Sequence, residues 1–204
     1  SRPILCVLPG SRKGEATRMG PVFRRSIVPV VQKHAGAQIL VPAARGVVNQ
    51  IKEMVEDWAL RTFIMDPTGF SAEDSEHRKR AAFRLADLAL ATSGTVALEL
   101  AAAECPMVVA YKANYLTTRI VKNMAQINTA NLVNIVTSTQ IIPEFLFENC
   151  TADAIGATVS TLLSDSDSHA RQRVAFSQTI EALGRYGEDP GLRAAKSIMA
   201  FLAR

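Results

Sequence analysis

Six short apolar runs recur along the chain, and helical patterns separate most of them. Ile4–Leu8, Gln38–Val41, Thr62–Met65, Asp87–Ala91, Pro106–Tyr111 and Asn131–Val136 are each a few residues long. A short, nearly continuous apolar run is the signature of a strand buried on both faces, as in a parallel sheet. Met19–His34 sets Phe23, Ile27, Val30 and Val31 at helical spacing, with Pro29 placed to kink that helix. A second helix, capped by Asn49, carries Ile51, Met54, Val55 and Trp58 on one face. Ser71–Leu85, Thr95–Ala103 and Leu116–Gln126 supply further helices. After the sixth run Ile141–Glu144 is extended, and the helices Ala152–Leu163, His169–Leu183 and Leu192–Leu202 finish the chain. This alternation predicts an α/β fold: a doubly wound, mainly parallel Rossmann-like sheet of about six strands with three C-terminal helices, one domain over 1–204.

A sheet of this kind binds ligands at the carboxyl ends of its strands, near the point where strand order reverses. The informative residues are therefore those just after each run: Pro9–Arg12, Pro42–Arg45, Asp66–Gly69, Thr92–Thr95, Tyr111–Asn114 and Asn134. In the first turn Gly10 lets a backbone come close to a ligand, Ser11 offers a hydroxyl, and Arg12 carries a fork of donors matched to phosphate. An ordinary turn with a surface arginine is the competing reading, because neither GxGxxG nor GxxxxGK[ST] is present. Those absences weigh against a nicotinamide enzyme and a P-loop ATPase.

Thr92-Ser93-Gly94-Thr95 joins the fourth run to an almost wholly apolar helix. Hydroxyls there usually cap the helix. Glu99, four residues after Thr95, has the wrong spacing for a capping box and leans back toward the turn. A carboxylate on so apolar a helix needs a partner, and ribose hydroxyls or a structural hydrogen bond would each serve.

Other chemistries find little support. With a net charge of +4, an anionic ligand, an anionic membrane surface and nucleic acid are all electrostatically open. Aromatics are only 6% and are not interleaved with basic residues, which argues against nucleic acid. The cluster His77-Arg78-Lys79-Arg80 reads first as a solvated helix face. Cys6, Cys105 and Cys150 lack disulfide or metal spacing and fit reduced core thiols of a cytosolic protein. No run approaches the roughly 18 residues that span a bilayer, and Pro3–Leu8 is too short for a signal peptide. His34, His77 and His169 belong to no nucleophile or metal motif, so no metal or cofactor is expected. The residues alone describe a phosphate- or nucleotide-binding domain without acid–base machinery of its own.

Leu8-Pro9-Gly10-Ser11-Arg12, Ala91–Glu99 and Pro106–Lys112 together resemble the lipid-A-disaccharide synthase family. Asn131–Ile135, Ile142-Pro143-Glu144 and Cys150-Thr151 follow in the family's order and spacing. The resemblance covers the C-terminal half of such enzymes, GT-B glycosyltransferases whose C-terminal Rossmann-like domain holds the donor's UDP. It implies inverting transfer of 2,3-diacylglucosamine from UDP to 2,3-diacylglucosamine 1-phosphate, without metal, in lipid A and lipopolysaccharide biosynthesis. It also implies that the acceptor-binding N-terminal domain and its proposed catalytic aspartate lie outside this chain, which alone is expected to be inactive.

By motif, the resemblance gives Arg12 the donor diphosphate, with Gly10 and Ser11 in the same turn. It gives Ser93, Gly94 and Thr95 hydroxyl and N–H contacts to that group, Glu99 the ribose, Asn134 a place in the donor site on a strand, and Met65 at the uracil. Phe147 stands where many relatives have glutamine, and the Pro67–Arg80 connection is longer than the family norm. The implied partners are the UDP-sugar, the lipid acceptor and the missing domain. The implied location is the cytoplasm, at the inner face of a Gram-negative inner membrane, with a homodimer open. Alternatives are another GT-B donor domain, of an N-acetylglucosaminyltransferase or a UDP-sugar 2-epimerase, or a non-catalytic nucleotide-binding module.

Overall fold

The computed structural model describes residues 2–202 apart from 35, 57, 59–60, 113–128, 186 and 189. In chain order its strands are β1 Ile4–Leu8, β2 Gln38–Pro42, β3 Thr62–Met65, β4 Leu88–Thr92, β5 Met107–Tyr111 and β6 Glu144–Leu146. The helices are α1 Lys13–Lys33, α2 Val48–Glu56, α3 Ala72–Leu85, α4 Val96–Ala102, α5 Leu132–Thr137, α6 Ala152–Leu162, α7 Ser166–Ala182 and α8 Pro190–Leu202. All strand pairs are parallel, in the order β3-β2-β1-β4-β5-β6. The order turns back between β1 and β4, so this doubly wound sheet has its switch point there.

Period-two alternation along β1 builds both layers at once. Leu5 and Val7 face a core with Phe23 and Ile27 of α1, Ile51 of α2 and Ile155 of α6. Cys6 and Leu8 face the opposite core, with Phe83 of α3, Leu100 of α4 and Phe176 of α7. Burying one such side chain fully contributes about 1.5–3 kcal/mol, which is why the apolar runs could be read so directly. The three cysteines are buried and unpaired, and burial pushes the Cys105 thiol up to about 12.

Three elements differ from expectation. The first helix starts at Lys13 instead of Met19, because its opening turn is polar and shows no apolar period; it continues through Pro29 to Lys33. Asn49 lies inside α2 and does not cap it, since the chain enters that helix through a 3-10 turn at Arg45–Val47. The expected sixth strand, Asn131–Val136, is helical. The Asn131 side chain accepts hydrogen bonds from the N–H groups of Val133 and Asn134, and Ser138 ends α5 in the left-handed region. The actual sixth strand is the short Glu144–Leu146, beside β5. The predicted helix Leu116–Gln126 lies outside the described residues.

The last helix exposes a row of large apolar side chains, Ile198, Met199, Phe201 and Leu202 among them. Among the described residues no helix is long and apolar enough to cross a membrane.

Candidate donor site at the switch point

A cavity of about 550 Å³ opens at the carboxyl ends of β1 to β4. Gly10, Ser11 and Arg12 form one wall, and Ser93, Gly94, Thr95 and Glu99 form the facing one. Met65 reaches it from β3. Two turns more than eighty residues apart in the chain meet because β1 and β4 are neighbours, with Leu8 opposite Ala91. Of the residues expected in the site, only Asn134 is absent from the lining. It sits on α5 and is buried, with both ends of its amide on the backbone of Ile142: Nδ2 donates to the carbonyl at 2.9 Å, and Oδ1 accepts from the N–H at 2.9 Å. An amide bound on both sides closes a loop and is not directed at the cavity.

The first turn is occupied by its own carboxylate. Glu15 Oε2 accepts from the N–H groups of Ser11 (3.1 Å) and Arg12 (3.3 Å), and Oε1 pairs with Arg12 Nη1 at 3.1 Å. Gly10 has φ of +127°, and a side chain there would meet Glu15 Cβ at 2.5 Å. The glycine is therefore needed for Glu15 to pack, a tighter constraint than ligand approach alone.

The second turn is open. Thr95 precedes α4 without a side-chain cap, and nothing among the described residues lies within 4 Å of where a Gly94 side chain would begin. Thr92 lines the cavity, and its hydroxyl is buried with no hydrogen-bond partner among the described residues. Glu99 is 40% exposed and has a partner that no local pattern foretells: Lys79 Nζ at 2.7 Å. The same ammonium reaches Glu76 at 2.9 Å. Partial burial works against the charged Lys79, but its bonds to Glu99 and Glu76 outweigh this and raise its pKa above the ordinary lysine value.

Further wall residues come from Asp66, Pro67 and helix α3, which takes up most of the expected Pro67–Arg80 connection. Arg78 lies over the Phe70 ring at 3.9 Å, and Arg45 Nη2 donates to the Phe70 carbonyl at 2.9 Å. One aromatic residue thus holds two guanidinium groups at the rim. Asp66 bonds Lys52 at 2.5 Å and accepts from Thr68, and these bonds keep its carboxyl well below the usual range. Three residues of the basic cluster, His77, Arg78 and Arg80, are exposed as a solvated face would be, while Arg78 and the half-buried Lys79 also line the cavity. The Pro-Glu motif braces the chain itself, since the Glu144 carboxylate ties down Thr129 Oγ1 (2.6 Å) and the Ala130 N–H (3.0 Å).

The fold agrees with what the chain is similar to. The C-terminal domain of a group 1 glycosyl transferase from Francisella tularensis superposes with a TM-score of 0.57 at 15% identity, covering 92% of this chain and 87% of that one. A Staphylococcus aureus TarM mutant in complex with UDP gives 0.55 at 16% identity, covering 88% and 32%. At such identities the likeness is one of fold alone, a Rossmann-like domain of the GT-B type. In sequence, the lipid-A-disaccharide synthase of Ruegeria pomeroyi is 44% identical over 197 residues, 97% of this chain and 48% of that protein. The synthase of Paramagnetospirillum magneticum is 34% identical over 203 residues, 98% and 50%. The chain thus spans about half the length of the curated relatives it matches. The Lipid-A-disaccharide synthetase family profile matches residues 1–197. The chain belongs to the lipid-A-disaccharide synthase family, a family of glycosyltransferases.

Proposed function

We propose that this chain is the donor-binding half of an enzyme that transfers 2,3-diacylglucosamine from UDP to 2,3-diacylglucosamine 1-phosphate with inversion. The observation that carries this reading is the cavity between two turns, one bearing Arg12 and the other bearing uncapped hydroxyls, at the switch point of a parallel sheet. Arg12 and the Ser93–Thr95 turn hold the diphosphate and offset the charge that builds on the leaving UDP. Glu99 exchanges Lys79 for the ribose hydroxyls, and the backbone around Met65 faces the uracil. Asn134 supports the site only through the loop it closes. No metal takes part in this scheme. The general base and the acceptor site belong to the other half of the protein, which packs against the exposed face of α8. The enzyme works on the cytoplasmic side of the inner membrane, as a peripheral protein.

Calorimetry with UDP tests the reading directly. The chain is expected to bind UDP, and Arg12→Ala to weaken binding. No heat from the wild-type chain, or an unchanged affinity in Arg12→Ala, would sink the assignment.

A further inference from the structure

We infer that Glu15 is a built-in competitor of the donor diphosphate, an anion of the chain's own that holds the first turn when the site is empty and takes it back when UDP leaves. The inference rests on reading the cavity as a nucleotide-diphosphate site. Its basis is what the Glu15 carboxylate holds. Two backbone N–H groups of the Pro9–Arg12 turn and one guanidinium nitrogen of Arg12 all bond to it. These are the donors that an arriving phosphate requires.

The side chain is only 16% exposed and lies packed on Gly10, while the Arg12 side chain remains 84% exposed beside it. The carboxylate is thus fixed and the arginine is free to change partners. The facing wall has a carboxylate too, Glu99, but its ion pair is with Lys79 of α3 and not with Arg12. A diphosphate reaching Arg12 either displaces Oε1 from the guanidinium or shares it against a like charge. Each route weakens retention of UDP relative to a turn without the carboxylate. An enzyme whose product carries the diphosphate gains faster release from that arrangement, because Arg12 leaves UDP for a partner already in place.

Glu15→Gln separates charge from structure, because glutamine three residues after a helix cap still accepts the backbone bonds. Titrations of the 204-residue chain with UDP, UMP and uridine would be compared for wild type, Glu15→Gln and Glu15→Ala, with a melting curve for each. Glu15→Gln is expected to bind UDP roughly 3- to 10-fold more tightly, the scale of one relieved repulsion at a partly exposed site. UMP should gain less and uridine nothing. Glu15→Ala should melt earlier yet show the same order of gains, so a fold defect in one variant does not decide the outcome. Unchanged or weaker UDP binding in both variants overturns the inference, as does an equal gain for UDP and uridine. A wild-type chain that binds no UDP overturns the donor-site reading itself, and this inference with it.

Discussion

The two turns that wall the cavity follow adjacent strands of one sheet, yet they are finished in opposite ways. The Pro9–Arg12 turn is closed by Glu15, with its backbone donors bonded and its glycine packed against that side chain. The Thr92–Thr95 turn is left open, with no cap at Thr95 and an orphaned hydroxyl at Thr92. A turn that stabilises its own helix can hold a ligand only by exchange. The facing turn spends its Ser93 N–H on the Ala110 carbonyl but leaves Thr95 without a cap bond, so it has room for something outside the chain. The pair shows how one site can combine a preformed half with a half that has to be released.

The sharpest way to break this contrast is to add the same methyl group to both turns. Gly10→Ala must adopt a left-handed backbone against Glu15 and should lose about 2–4 kcal/mol of folding free energy in denaturant titration. Gly94→Ala meets open space and should stay within about 1 kcal/mol of wild type while lowering UDP affinity roughly tenfold. Equal losses of stability would end the distinction between a closed and an open turn.

Arg12→Ala comes next. The arginine is highly exposed and its ion pair with Glu15 contributes little to folding, so melting should barely move. UDP affinity should fall roughly 10- to 100-fold, the scale of a hydrogen bond to a charged group. Lys79→Met removes the partner of Glu99 from the open wall. A roughly two- to fivefold weaker UDP affinity is expected, with a smaller dependence on salt. A larger loss than in Arg12→Ala would move the diphosphate to the opposite wall.

The smallest effect concerns pH. Asp66, held low by Lys52 and Thr68, stabilises the fold above the ordinary carboxylate pKa of about 4 and loses that contribution as pH falls toward its own lower value. Asp66→Asn should flatten the decline in melting temperature between about pH 5 and pH 2. An unchanged slope would show that the Asp66 bonds do not couple to folding.

Strands β1, β2, β4 and β5 are legible in the sequence because each is buried along most of its length and so must be apolar almost throughout, whereas β3, at the sheet edge, leaves Phe63 exposed and is read from its apolar residues alone. Asn131–Val136 misleads because six apolar and amide residues fit a strand or a short helix equally well. The deciding fact is the Asn131 cap, a side-chain bond that no periodicity reports. Glu15 escapes notice for a related reason. It stands three residues after Arg12, the spacing of a capping box, but an arginine in the cap position hides that pattern. Lys79 and Glu99 lie on different helices, so their pairing is tertiary. The turns themselves, by contrast, can be located from strand ends alone, because a parallel sheet directs its ligand there.

The strand order also carries a consequence for synthesis. β1 sits in the middle of the sheet, and Asp87, whose carboxylate receives the Ile4 N–H, is 83 residues away in the chain. At the usual 5–20 residues per second, roughly 4 to 16 seconds pass on the ribosome before β4 can join β1. During that interval one edge of an apolar strand is uncovered, and the cavity lacks the wall that Thr92–Glu99 supplies. The nascent chain is therefore most exposed to mispairing before the open turn has been made, and that is the window in which a chaperone would matter most.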